Sequence, residues 1–537
     1  MSDEEKSRLP STERKAELEP TISVNVGETD NLGSLHRSFT PRQVHVISLG
    51  CNIGSGLFIG TGKALANGGP GNIILAYFAV CIGVWAHLQT LAEMTIAFPT
   101  SGNYIDYADR WVDPALAFGA GLAEWLGWTA VFASEGTFFV VLVDYWADGS
   151  VPEVALCKFS IAVTLEAPLT LYSYFGSLVK VFLFIFNTII SLALIGGAGP
   201  RGSVKDGSTW TDLPVFKNGF GGFASAALLA IWAIGDQIYI GVLGGEAKSP
   251  RYSMAHAANV VPWRVSVFYM VSVVLVSILV PSSDSRLLGG SGSAASPFVI
   301  SIDDAGIKGA PDLINACMII GILAIALECI YLPSRILRTM ALQKLIPPFI
   351  AKVDDKGRPR WALLITSVVG IILTYMSLSG KGLEVLNWLI SITSASFFIN
   401  WAIVAFTSFR FRAAVKAQNA PIFSGTYSWK SPLWPLAPAG ALTISTLLLI
   451  CLLYSSIEPL GDTGFTTYNF FMNILGILVI AVPTALYKIF LRTEGRDPAV
   501  ADLVTGRRQL TPEEIILMDD HYSRPLWRRV GMYVKLW

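Results

Sequence analysis

Two short segments bring together residue types that an apolar helix rarely tolerates. The stretch Asn52–Gly62, reading NIGSGLFIGTG, holds four glycines in eleven residues. Each interior glycine costs a helix about 1 kcal/mol relative to alanine. The spacing therefore predicts an unwound stretch whose amides need a cavity or a ligand. The second segment is Gly235-Asp236-Gln237, followed by Gly241, Gly244 and Gly245, in an otherwise apolar run. A carboxylate buried in lipid costs at least ~2.5 kcal/mol on insertion scales, so Asp236 is expected to face water. A helix resuming after the first break presents free N–H groups and a positive dipole end, which suit a carboxylate. Carbonyls freed at the second break suit an ammonium. Together the two ends favour a small zwitterion. The competing reading is that these glycines only let helices pack closely. Glu135 and Glu328 also stand in apolar runs, as functional acids or as hydrogen-bond partners of neighbouring helices.

These segments sit in a chain of 537 residues that is 53% hydrophobic, 15% charged and of zero net charge. Soluble domains carry about 25% charged residues. The apolar residues fall in blocks of about 20, enough to cross roughly 30 Å of hydrocarbon. Twelve spans are expected, over 43–62, 72–98, 115–146, 152–171, 174–198, 220–245, 262–281, 312–333, 361–378, 383–408, 433–455 and 467–490. The breaks fall in spans one and six, matching members of two five-helix halves, as in inverted-repeat transporters with a midplane site. The sequence thus divides into a disordered N-tail (1–40), a first repeat (41–200), a second (218–410), helices eleven and twelve (430–492) and a C-tail (493–537). Segments on the side of the two tails carry about four times as many Lys and Arg as the opposite loops, which places both termini in the cytoplasm. The C-tail, with Ile515, Ile516, Trp527 and Trp537, is expected to lie on the membrane surface or to cap the cytoplasmic face. Zero net charge gives no reason to expect nucleic acid. Six cysteines without a CxxC pair support neither a disulfide framework nor a metal site, and no P-loop or nucleophile–base spacing supports an enzyme.

The order of several motifs resembles the fungal amino-acid permeases of the amino acid–polyamine–organocation superfamily. They are NIGSGLFIGTG with Gly68-Gly69-Pro70, Glu93-Met94 with Pro99 and Ser101-Gly102, and Val112-Asp113-Pro114-Ala115-Leu116. Then follow Gly245-Glu246-Ala247-Lys248-Ser249-Pro250-Arg251, Ser296-Pro297-Phe298, Ser334-Arg335, Asn387-Trp388-Leu389 and the tail stretch Asp502–Arg508. The resemblance runs from about residue 40 to 510. It implies an all-α, LeuT-like 5+5 inverted repeat plus two extra helices, importing amino acids with protons across the plasma membrane. No cofactor is implied beyond the proton gradient. It maps the substrate carboxylate onto Gly54, Ser55 and Gly56 and the amine onto the carbonyls of Ala233, Ile234 and Gly235. It maps the coupling cation onto Lys180, in Ser177-Leu178-Val179-Lys180, where sodium-coupled cousins bind an ion. Such a lysine could cycle its charge; the alternative is snorkelling to the interface. It also implies removal from the surface by ubiquitin ligase machinery acting on tail lysines such as Lys6 and Lys15.

Two departures qualify the resemblance. Many fungal members carry a glutamate two residues after the span-six glycine, where this chain has Gln237, or Ile238 in the alternative register. That puts a preference for cationic amino acids in doubt. Span eight reads Ala324-Ile325-Ala326-Leu327-Glu328-Cys329 where relatives have small polar residues. Two rival functions follow: an amino-acid sensor on the same scaffold, and a transporter of another small amine such as choline or 4-aminobutyrate. Trp232, Tyr239, Trp388 and Asn400 are candidate pocket residues, Glu93 is expected to brace a loop through Arg110 or another cation, and His87 to pack.

Overall fold

The computed structural model describes residues 40–528 apart from 51–53, 101, 167–168, 236–237, 290–295, 379–381, 426, 462–463, 508–509 and 526. Among the described residues, nine helices are long and apolar enough to cross a membrane. The chain is an all-α, multi-pass membrane protein. The expected tail lysines Lys6 and Lys15 lie outside the described residues.

The chain enters through helix α1 (Pro41–Gly50) and resumes in a π-helical turn, Gly56–Gly60, that leads into α2 (Thr61–Ala97). The expected loop at 63–71 is absent. The helix continues to Gly68, breaks at Gly69, and Pro70 restarts it, so α2 holds the end of span one and all of span two. Gly69 adopts φ +74°, and a Cβ there would lie 2.7 Å from the Pro214 carbonyl oxygen, so the position demands glycine. The predicted unwound stretch is correspondingly shorter than Asn52–Gly62, because Gly60 and Gly62 are helical.

Then come the short α3 (Asn103–Trp111) and the long α4 (Pro114–Ala147). Asp113 caps α4 by accepting from the Ala115 amide at 2.8 Å, with Pro114 in the first turn. Next are α5 (Glu153–Glu166) and α6 (Leu169–Ile195). The second half opens with α7 (Gly219–Ile234) and α8 (Ile238–Glu246), followed by α9 (Pro250–Leu279), α10 (Ala310–Leu342), α11 (Arg360–Ser377) and α12 (Gly382–Ala417). Helices α13 (Leu436–Ile457) and α14 (Thr467–Leu491) complete the bundle. Within span six, α7 ends at Ile234 and Gly235 stands outside either helix, while Asp236 and Gln237 before α8 lie outside the described residues.

The most extensive helix contacts are α2 on α7 and α10 on α4, so the two interrupted elements sit inside the bundle. At its edge, α14 exposes Phe471, Leu486 and Phe490, an apolar surface suited to lipid. At one end of the bundle the C-tail is clamped in place rather than trailing free. Trp111 Nε1 donates to the Asp502 carbonyl at 2.9 Å, and Gln418 donates to the carbonyls of Pro498 and Ala501. The Arg496 amide donates to the Val112 carbonyl at 2.8 Å. Helix α15 (Pro512–Ser523), with a Thr511–Glu514 capping box, sets His521 edge-on to Tyr252 of α9. Of the two expectations for the tail, capping the bundle is the one realised through these bonds.

Candidate functional site

The two breaks meet. A Cβ on Gly56 would lie 2.7 Å from both Cα and Cβ of Ala233, so the glycine is what allows the π turn to reach the end of α7. The Trp232 indole lies over the same turn, against Gly56 and Gly60, and faces the Phe138 ring with centroids 6.2 Å apart. Gly54, Ser55 and Gly56 stand at the head of the resuming helix, and residues 51–53 just before them lie outside the described residues. The Gly54 carbonyl already accepts from the amides of Leu57 and Phe58. Asp236 and Gln237, and the side chain of Tyr239, lie outside the described residues.

Three ionisable side chains converge on the first break from three helices. Ser55 Oγ donates to Glu135 Oε1 of α4 at 2.8 Å. Lys180 of α6, 1% exposed, donates from Nζ to the Gly50 carbonyl at 2.9 Å. A cation thus sits at the C-terminal end of α1, where the helix dipole is negative. The snorkelling alternative fails: the ammonium is buried and committed. Glu328 of α10 accepts from Ser173 of α6. Lys180 interacts electrostatically with both Glu135 and Glu328. Each carboxylate keeps one oxygen, Oε2, buried and without a hydrogen-bond partner among the described residues.

Glycines and small residues explain how α10 and α6 come close enough for this. A Cβ on Gly176 would meet the Ala324 methyl at 2.5 Å, and Gly321 gives room to the Lys180 stem. Ile325 lies over Gly54. The apolar span-eight sequence that departs from relatives is therefore a packing face against the first break. A narrow crevice with no room for a water molecule lies there, lined by Ser55, Phe58, Lys180, Leu183, Met318 and Gly321 among others. It lies beside the first break toward α6 and α10.

The carbonyls at the second break are not free, which corrects the expectation. The Ala233 carbonyl accepts from Tyr269 Oη at 2.8 Å, and the Gly235 carbonyl from Trp401 Nε1 at 3.1 Å. A buried break needs donors, and two aromatic residues from α9 and α12 supply them. Sequence reading named neither, since their partners depend on helix packing.

The structure disperses the remaining candidates. Trp388 donates to Tyr468 on α14 at 2.5 Å. Asn400 is drawn to Glu124 of α4, an acid absent from the candidate list, which is fully buried and also accepts from Trp128 Nε1 at 2.8 Å. Glu124 carries the same signal as Glu135, an acid in an apolar run. Glu93 is braced by Arg412, with both contacts at 2.6 Å, and Arg110 pairs instead with Asp106. Glu246 and Arg335, read only as separate motif fragments, form a buried ion pair at 2.9 Å that also takes in the Tyr331 hydroxyl at 2.7 Å. His87 is buried and stacks on Trp401 with centroids 5.5 Å apart, as its packing reading expected, but its ring nitrogens have no hydrogen-bond partner among the described residues, so it is not the satisfied histidine of that reading.

The model of the amino acid permease family matches residues 43–497. Among curated proteins, the amino-acid permease GAP5 of Candida albicans is 30% identical over 97% of this chain and 84% of its own length. The general amino-acid permease GAP1 of Saccharomyces cerevisiae is 30% identical over 91% of this chain and 84% of its own. The S-adenosylmethionine permease GAP4 of Candida albicans is 29% identical over 89% of this chain and 79% of its own.

Proposed function

This chain belongs to the amino-acid permease family, and from that premise we propose that it imports zwitterionic amino acids with protons by alternating access across the plasma membrane. The fold proposed is the twelve-helix arrangement of two inverted five-helix repeats plus α13 and α14, with both termini cytoplasmic. It is a transporter and not an enzyme. The observation that carries the reading is the meeting of the two breaks at Gly56 and Ala233. There the head of one helix and the tail of another bring a partial positive and a partial negative end to one place, the dipolar complement of an amino acid. The amides of Gly54, Ser55 and Gly56 would receive the carboxylate, and the carbonyls of Ala233, Ile234 and Gly235 the ammonium. Trp232 would wall the seat, with Asp236 and Gln237 beside it. The relatives' names share one chemistry, since S-adenosylmethionine also bears an α-amino acid group.

Coupling is assigned to Lys180 with Glu135 and Glu328. The resemblance puts Lys180 where sodium-coupled relatives bind an ion, and its ammonium is held on the Gly50 carbonyl, which supports protons over sodium. The half-satisfied carboxylates around it supply proton acceptors. The test is radiolabelled uptake in permease-deficient cells. Expected is accumulation above equilibrium that a protonophore abolishes and sodium replacement leaves unchanged. Absence of uptake for every amino acid at every external pH rejects the reading in favour of a sensor. Uptake of choline or 4-aminobutyrate in place of α-amino acids rejects the substrate class.

A further inference from the structure

We propose that Trp401 and Tyr269 are positioning residues of the ammonium seat, which aim the Gly235 and Ala233 carbonyls. This rests on the reading that the amine docks at the end of α7. A carbonyl oxygen has two lone pairs. At Gly235 one is taken by the Trp401 indole at 3.1 Å, and at Ala233 one is taken by the Tyr269 hydroxyl at 2.8 Å.

Both donors are themselves fixed from behind by α2. The Trp401 ring is fully buried and stacks on His87, and it packs so tightly over Gly83 that a Cβ there would lie 2.4 Å from it. The Tyr269 ring is fully buried and stacks on Tyr77 with centroids 5.9 Å apart. The two carbonyls at a helix break, which could otherwise swing, are held by rigid aromatic struts from two helices backed by a third. Pre-orientation of acceptors is what lowers the cost of binding.

A seat built of carbonyls is chemically selective. Its acceptors reward N–H donors, so it fits a primary or secondary ammonium and rejects a quaternary one, which has none. Choline is excluded on this ground, whatever its size.

The experiment compares Trp401→Phe, Tyr269→Phe and the double variant, each keeping a ring and losing a donor, using whichever radiolabelled amino acid the wild type accumulates fastest. Loss of one neutral hydrogen bond is worth about 0.5–1.5 kcal/mol, or roughly two- to tenfold in affinity. Expected is a KM raised about two- to tenfold by each single change and more by the double, with Vmax per surface copy within about twofold. Inhibition by the deaminated analogue, the same carboxylic acid with hydrogen in place of the ammonium, should not change. A merely structural defect would move both. Trp263→Phe, at an exposed indole, serves as the control. For a variant retained inside the cell, the ligand-induced rise in Tm of the detergent-purified protein gives the same comparison. Unchanged or lowered KM overturns the proposal, as does an equal loss for substrate and deaminated analogue. Wild type that accumulates no amino acid removes the underlying function instead, and this inference with it.

Discussion

Glu93 and the pair Glu135 and Glu328 are all carboxylates buried in an apolar bundle, yet they are treated in opposite ways. Glu93 is saturated: the Arg412 guanidinium grips both of its oxygens, and the Ser431 amide adds a third bond at 2.8 Å. Glu135 and Glu328 share the influence of one ammonium, and each leaves an oxygen unpartnered among the described residues. Full satisfaction makes a brace, because any motion must break several charge-assisted bonds at once. Partial satisfaction makes a site that a proton or a rearrangement can complete. The contrast assigns structure to the first and work to the second.

Glu93→Ala tests the brace most severely. Breaking a buried pair leaves Arg412 uncompensated, and about 3–5 kcal/mol of stability should go. The readout is a collapse of the monodisperse peak and of Tm in detergent, with uptake lost only because the protein is lost. Lys180→Met should sharpen the contrast by doing the reverse. It removes the charge-assisted bond to the Gly50 carbonyl, worth about 1.5–3 kcal/mol, and the carboxyls that faced the ammonium can take up protons instead, so the protein should remain folded and at the surface. Proton-driven accumulation should nonetheless fall at least about tenfold. Equal destabilisation by both changes would erase the distinction between brace and working site. Ser55→Ala removes the hydroxyl from Glu135 at the first break and should cost about 1 kcal/mol, seen as a several-fold loss of uptake with a small change in Tm.

The smallest effect is expected at the rim, where Asp113 provides a third case. It is partly desolvated, which pushes its carboxyl up. Bonds from Lys488, the Ala115 amide and Thr493 outweigh this and hold it below its ordinary value of 3.8. Its folded form is therefore favoured above that value, and its contribution fades as pH falls through the lower folded value. Asp113→Ala should cost about 1 kcal/mol at neutral pH, as for a lost cap. The gap in Tm between variant and wild type should close below about pH 4. A gap constant with pH would show that the cap does not act through its charge.

Much of this arrangement was legible in the residues. Apolar block length marked the helices, Gly235 marked the end of α7, and the glycine run marked the place where the chain re-enters as a π turn. What escaped was partner choice. Arg412 lies 319 residues from Glu93, and no local pattern joins them. Trp401 and Tyr269 look like ordinary packing aromatics until the helices bring their polar atoms to the break. The Gly68-Gly69-Pro70 turn was visible, but its length was not: helix geometry continues up to the joint, and one left-handed residue suffices. Glu124 was a different failure, since its signal was present and only its neighbour Glu135 was weighed.

The clasp of Trp111 by the Asp502 carbonyl has a consequence for biosynthesis. Helix α3 leaves the ribosome nearly four hundred residues before the segment that secures it, so throughout elongation its indole N–H lacks this acceptor. Translation of the final stretch closes that end of the bundle, and a prematurely stopped product carries an unfinished surface that quality-control factors can read.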